Sequence, residues 1–382
     1  YVSLGDNTTG NYNTGLGNLA LRLNTTGNFN TAVGSHALDA VTTGVANSAY
    51  GYASLSENTD SYNTAYGSYT MAANTSGATN VAVGSFALYS NTTASSNVAV
   101  GYNTLLNNTT GALNTAVGRD ALDANTTAGC NEAFGYAALT TNTTGSPNSA
   151  FGSSTLSANT TGGSNTAVGY QALSSNTTAD NNVGVGRQAL GLNTTGTRNT
   201  AVGYQALSAN TTADDNTAVG RQALLATTTG ASNTALGKSA LTDNGTGDYN
   251  TAVGMNCLLA NTTGTQNVAV GAFALDANTT ASNSTAIGHL ALSANTVSGS
   301  TAVGHRALHS NTTGAGNIAI GKDALYTNTT GQYNISIGYD SLQQNNADNN
   351  VAVGHDALKV NTTGTENVAM GANALDANTT GT

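Results

Sequence analysis

Large contact residues return at one place along this chain. Tyr102, Arg119, Tyr136, Tyr170, Arg187, Tyr204, Arg221 and Lys238 each follow a glycine directly, at intervals of seventeen or thirty-four residues. Tyr52, Lys322 and Tyr339 share that place, so five of the nine Lys and Arg residues occupy it. Tyr and Arg are enriched at binding surfaces. A linear aromatic and cationic stripe suits contact with a glycan or another protein, and the plainer alternative is a solvated row covering a bend. Bond-making chemistry is not expected. His289, His305 and His355 share the same place, but only His289 and His305 fall in neighbouring repeats, and no Cys or recurrent carboxylate joins them as a metal site requires. No G-x-S-x-G, P-loop or Rossmann fingerprint occurs, so neither catalytic residues nor a metal or other cofactor is expected.

These residues are positioned by a unit close to N-T-A-V-G-x-x-A-L-x-x-N-T-T-G-x-x. Its glycine recurs 22 times from Gly17 to Gly371, at seventeen-residue spacing except for three sixteen-residue intervals. With Asn as position 1 and that glycine as position 5, position 4 is apolar or aromatic throughout, and position 9 is Leu in all but one unit (Met71). Position 3 is Ala except at Gly15, Gly184 and Ser336. A unit this short buries no face alone, so units must stack.

Thr/Val-Ala-Val alternates with period two, which predicts a strand ended by the glycine. A second short extended piece is expected at Ala-Leu, and Asn-Thr-Thr-Gly supplies the return turn. The fold expected is all-β, a parallel β-solenoid or β-roll of about 22 coils, seventeen residues and two short strands each. Stacked at ~4.8 Å, the coils make a rod of roughly 105 Å. Residues 13–382 read as one continuous repeat domain and 1–12 as an irregular first coil or junction, because Leu4-Gly5 runs into Asp6-Asn7-Thr8-Thr9-Gly10 with no Ala-Leu between. The start at Tyr1 without Met and the stop at Thr382 in mid-unit are those expected of the ordered part of a longer protein.

Asn fills position 1 and position 12 in 20 of 22 units each. Stacking turns such positions into amide ladders, each side chain donating to one neighbour and accepting from the other. The three shortened units all lose a residue just after position 12, which marks that turn as the tolerant one. If position 4 fills the coil beside Leu, the position-3 stripe of Ala82, Ala99, Ala116, Ala167, Ala201, Ala218 and Ala252 faces outward, and its restriction to small residues implies close approach of another chain. The inverted strand, with Ala inside against the opposite wall, is the alternative.

Composition narrows the partners. Net charge is −10 with only 7% charged residues and no basic run, which argues against a nucleic-acid groove. No stretch approaches the roughly 20 apolar residues of a membrane span. Cys130 and Cys257 lie about seven and a half coils, roughly 34 Å, apart in the stacked arrangement, too far for a disulfide. Regular Thr rows at positions 2, 13 and 14 match the geometry of an ice-binding face, although Val or Ile replaces Thr at position 2 in eight units and Glu132 interrupts the row. Asn-Thr-Thr is also an N-glycosylation triplet.

The motifs N-V-A-V-G (Asn80–Gly84, Asn97–Gly101, Asn267–Gly271, Asn350–Gly354) and N-I-A-I-G (Asn317–Gly321) resemble the S-V-A-I-G repeat of YadA-like heads in trimeric autotransporter adhesins. Related repeats occur in bacteriophage tail-fibre-like proteins. The resemblance runs through positions 1 to 8 over nearly the whole chain, which departs in its longer unit, its Leu at position 9 and its N-T-T-G turn. It implies a left-handed β-roll assembled as a trimer and acting in surface attachment. The function expected is therefore an extracellular, cell-surface or virion fibre segment that is structural or adhesive and non-enzymatic. Its expected partner is itself, as a homotrimer or an end-to-end filament, with a glycan or cell-surface receptor as a further candidate. An ice- or surface-binding module is the alternative.

Overall fold

Each β-branched run ahead of the position-5 glycine does become a strand. The computed structural model describes residues 2–382, and among them these runs are the only strands, three or four residues long, with no helix. The chain divides into two compact units, Tyr1–Thr195 and Gly196–Thr382. The first holds β1 (Thr14–Leu16) through β11 (Val183–Val185) and the second β12 (Thr200–Val202) through β22 (Val368–Met370). Within each unit, successive strands pair in parallel with like positions opposed. Ala116 of β7 (Thr115–Val117) lies against Ala133 of β8 (Glu132–Phe134), and Ala218 of β13 (Thr217–Val219) against Ala235 of β14 (Thr234–Leu236). Each unit is a parallel β-solenoid with one coil per repeat.

The second strand expected at Ala-Leu is replaced by two turns. In the coil that starts at Asn80, the Gly84 carbonyl accepts from the Ala87 amide at 3.2 Å and the Leu88 carbonyl from the Asn91 amide at 3.2 Å. Phe86, the third residue of the first turn, has φ of 60°, the left-handed value a type II turn requires there. Leu88, which opens the second, has φ of 53°. Nearly every coil repeats this at positions 7, 9 and 17. The left-handed region costs an L-residue about 1–2 kcal/mol, so position 9 is held there by what Leu buries, about 1.5–3 kcal/mol for such a side chain. These turn segments still bond from coil to coil. Leu88 donates to Thr104, Ser90 to Leu106 and Thr92 to Thr109, at 2.9–3.1 Å.

The core also corrects the expected facing of the strand. Position 3 points inward: Ala82, Ala99, Ala116, Ala167, Ala201, Ala218 and Ala252 are all fully buried within the chain, together with the position-8 Ala and position-9 Leu of the central coils. The reason is space. A methyl built on Gly184, one of the exceptions, would lie 3.2 Å from Leu173 Cγ and 3.2 Å from the Ala189 carbonyl. Position 3 is small because Leu from the neighbouring coil already fills the lumen, and no second chain is needed to explain it. Ser336 fits by donating its hydroxyl to the Ser341 carbonyl at 2.7 Å. Position 4 therefore points outward.

Both amide ladders form. Asn108 Nδ2 donates to Asn91 Oδ1 (3.0 Å) and to the Gly111 carbonyl (2.9 Å), while Asn97 Nδ2 donates to that same carbonyl at 3.0 Å. The two ladders thus converge on the position-15 carbonyl and use both of its lone pairs. In the shortened coil after Asn47 the Asp60 carbonyl takes over this task, accepting from Asn47 and Asn58, both at 2.8 Å. The lost residue lies between position 12 and the acceptor, which explains why deletions are confined there. The opening segment is regular as well: the Leu4 amide donates to the Ala20 carbonyl and the Asn7 amide to the Leu4 carbonyl, and Leu4 has φ of 54°. Leu4 is a position-9 leucine, so Ser3-Leu4 is the Ala-Leu pair of that coil, not the Val-Gly pair.

Candidate functional site

Positions 1, 3, 8, 9 and 12 are spent inside the coil, so whatever these units bind must meet the others, among them positions 2, 4, 6, 7 and 10 and the turn positions 14 and 17. The position-6 stripe is exposed as the spacing suggests: Tyr102, Arg119, Tyr136, Tyr170 and Arg187 in the first unit, and Tyr204, Arg221 and Lys238 in the second, all present their side chains at the surface. Stacking brings some of them together. Arg119 lies over the Tyr136 ring at 5.9 Å while its Nε donates to Asp120 at 3.0 Å, and Arg187 lies over Tyr170 at 5.9 Å. Tyr102 meets the Phe86 edge at 6.2 Å. Tyr136 and Tyr170 are separated by the Ser153 coil. His289 and His305 stack with ring centroids 5.4 Å apart, an arrangement of faces rather than of converging nitrogens. Among the described residues no group of three His, Cys, Asp or Glu side chains converges on a point.

The sequence-based reading missed the outer sheet face. Positions 2 and 4 form two columns on it, and their apolar members are open to solvent: Val83, Val168, Val202, Leu236, Ile287, Ile320 and Ile337 are each more than a third exposed. Aromatic members stack in register, Tyr50 on Tyr66 at 5.3 Å and Phe134 on Phe151 at 4.9 Å. Strand parity was the available signal, because an inward position 3 forces both of its neighbours outward.

Two other rows lose their proposed roles. Between the terminal coils the position-12 Asn of the N-T-T triplets is fully buried, whereas Asn7 is exposed and Asn378 half-buried. In the ladders its two amide hydrogens go to the preceding Asn and to the position-15 carbonyl, as at Asn91 (2.7 and 3.0 Å), so a glycosyl transfer to the nitrogen of these inner coils has no access in the folded chain. The position-13 hydroxyls are engaged too, Thr92 donating to the Thr109 carbonyl at 3.1 Å, which leaves positions 2 and 14 as the open Thr rows. Both cysteines are free. Cys257 replaces a position-8 Ala, donates to the Ala269 carbonyl at 3.0 Å, and has its thiol pushed up to about 12 by burial.

Charge pairs cluster on the turn side of the second unit. Arg306 donates to both carboxylate oxygens of Asp323 at 2.8 and 2.9 Å, Lys322 lies 3.3 Å from Asp323, and Lys359 bridges Asp340 and Asp356 at 2.9 and 3.0 Å. Burial pushes the Asp323 carboxyl up, but the hydrogen bonds from Arg306 and Lys322 outweigh it and hold it below the usual carboxylate range. None of the described residues forms a helix long and apolar enough to cross a membrane. No protein-family profile matches the chain, and no curated protein matches it significantly.

Proposed function

We propose that this chain is a non-enzymatic structural segment of an extracellular, cell-surface or virion fibre, and that it associates with further copies of itself through the outer face of its sheet. The supporting observation is the paired column of positions 2 and 4. In the second unit β19 (Ile318–Ile320), β20 (Ile335–Ile337), β21 (Val351–Val353) and β22 carry apolar residues at both positions in four successive coils. Eleven coils of three-residue strand make a stripe of about 500 Å² per unit at standard strand spacings. Exposed apolar patches of a few hundred Å² mark interaction sites, and a stable interface takes about 800 Å² from each partner. One unit's stripe supplies more than half of that. The fibre role and the location outside the cell rest on the likeness of the N-V-A-V-G motifs alone.

Light scattering on the purified chain tests this. The expected result is a mass that is a multiple of 37.9 kDa, reduced to one chain by Ile320→Lys with Ile337→Lys, which alter the outer face and leave the lumen intact. A monodisperse single-chain mass for the unaltered protein at high micromolar concentration sinks the proposal. A second reading has one observation of its own: Thr200, Thr217, Thr234 and Thr251 stand at position 2 in four consecutive coils, a regular outward hydroxyl row. Thermal hysteresis in a freezing assay supports the ice-binding reading, and its absence ends it.

A further inference from the structure

Position 10 changes character abruptly in the first unit. Its occupants in five consecutive coils are Arg22, Asp39, Ser56, Ala72 and Tyr89, so two small residues sit between a charged end and an aromatic end. They leave a basin two coil spacings long, about 10 Å. It comprises two joined depressions of about 390 and 240 Å³ that share Ala53, Ser56 and Glu57. The larger alone falls within the roughly 300–1,000 Å³ of small-molecule sites.

The wall of this basin is aromatic and held in place. Tyr52 meets Tyr69 edge to face at 5.2 Å, Tyr69 meets Tyr89 in the same way at 6.4 Å, and Tyr69 lies flat on Phe86 at 5.4 Å. All three tyrosines stay open to solvent, at 47%, 36% and 38% exposure. Tyr52 covers the gap left where Ala53 stands at position 7, between His36 and Tyr69 in the coils on either side. At the other end Arg22 Nε donates to Asp39 Oδ1 at 2.8 Å, and His36 Nδ1 lies 3.3 Å from Asp39 Oδ2. Glu57, at the shared floor, makes no ion pair or side-chain hydrogen bond among the described residues.

We propose that this basin binds a neutral saccharide of two or three sugar rings. A sugar ring offers a face of polarised C–H groups, which suits the electron-rich face of a tyrosine, and a rim of hydroxyls that both donate and accept. The basin offers the matching set: a carboxylate acceptor at Glu57, guanidinium donors at Arg22 and phenol hydroxyls along the wall. Arg22 and Asp39 pair with each other and Glu57 adds one negative charge, so nothing there favours a polyanion. A lone organic cation would want an aromatic cage on several sides. This basin is instead long and open, with a cationic side chain at one end. The proposal does not depend on the oligomeric state of the chain.

Calorimetric titration of the full chain with maltotriose, cellotriose, chitotriose and mannotriose tests it. At least one of these is expected to bind, and Tyr69→Ala and Ala72→Tyr are each expected to weaken that binding at least tenfold. Both changes suit the fold: Ala already holds position 7 at Ala53 with φ of 51°, and Tyr already holds position 10 at Tyr89. An unchanged thermal melt for each variant confirms that. Tyr339→Ala, in the second unit, leaves the affinity as it was. The proposal is overturned if none of the four sugars binds at millimolar concentration, if binding survives Ala72→Tyr, or if tetramethylammonium or heparin displaces the sugar.

Discussion

One flaw in the position-12 ladder can be repaired, and the repair measures what the ladder contributes. Asn24 Oδ1 is buried without a hydrogen-bond partner, because the next coil presents Val41 where an amide should stand. Val41 is fully buried, and across it Asn58 Nδ2 donates to the Asp60 carbonyl at 2.8 Å. Val41→Asn supplies a donor to Asn24 Oδ1, a donor to the Gly44 carbonyl and an acceptor for Asn58. Three such bonds contribute about 3 kcal/mol, at roughly 1 kcal/mol net each. Losing the buried valine costs about 1.5 kcal/mol. The balance is about 1.5 kcal/mol in favour of the variant, which for a unit of this size raises Tm by about 3–6 °C. The counterpart, Asn91→Val, removes the bonds to Asn74 Oδ1, the Ala94 carbonyl and Asn108 Nδ2 and strands two buried polar groups, at about 1–3 kcal/mol each. Calorimetric melts of the two variants should shift in opposite directions. A Val41→Asn protein no more stable than the parent, with Asn91→Val neutral, would show that Asn is there only as a turn former.

The position-5 glycine should tolerate no side chain. Gly118 has φ of 136°, and a Cβ there would sit 2.4 Å from the Gly135 carbonyl oxygen and 2.6 Å from its carbon, so Gly118→Ala should cost several kcal/mol and lose amide protection first in the coils around it by hydrogen exchange. Acid should weaken the second unit through Asp323. Its carboxyl titrates below the unfolded value, so its contribution is complete above about pH 4 and disappears as pH falls through the folded value; the stability gap between the parent and Asp323→Asn, measured by denaturant melts, should be present at neutral pH and close in acid.

Much of this architecture was readable because stacking multiplies every constraint by the number of coils. The Asn ladders and the strand announce themselves as columns of one residue type, the tolerant turn as the one place where units shorten, and the exposed position-6 stripe as a column that gathers Tyr, Arg and Lys. What escaped detection was of two kinds. The turns at Ala-Leu place a bulky residue at positive φ, against its local preference, and only the lumen that Leu fills can hold it there. The basin at Ser56 and Ala72 is an interruption in a variable column, and a column without a consensus hides its own exceptions until the coils are stacked.

The facing of the strand is the deeper case. Ala-Val alternation states that the two positions lie on opposite faces, and it is silent about which face is the inside, because a shift of one residue exchanges them all. Hydrophobicity argued for Val inside, and that argument fails on volume. With Leu already drawn inward by its turn at position 9, Gly184 shows the space left for position 3 to be one methyl group deep. A restriction to Ala, Gly and Ser can mean a partner pressed against the outside or a full interior. Here it means the second, so the larger apolar residues are displaced to the surface, and the association proposed for this chain belongs to positions 2 and 4. Replacing position-3 alanines should then damage folding before it damages assembly, whereas replacing position-4 residues should do the reverse.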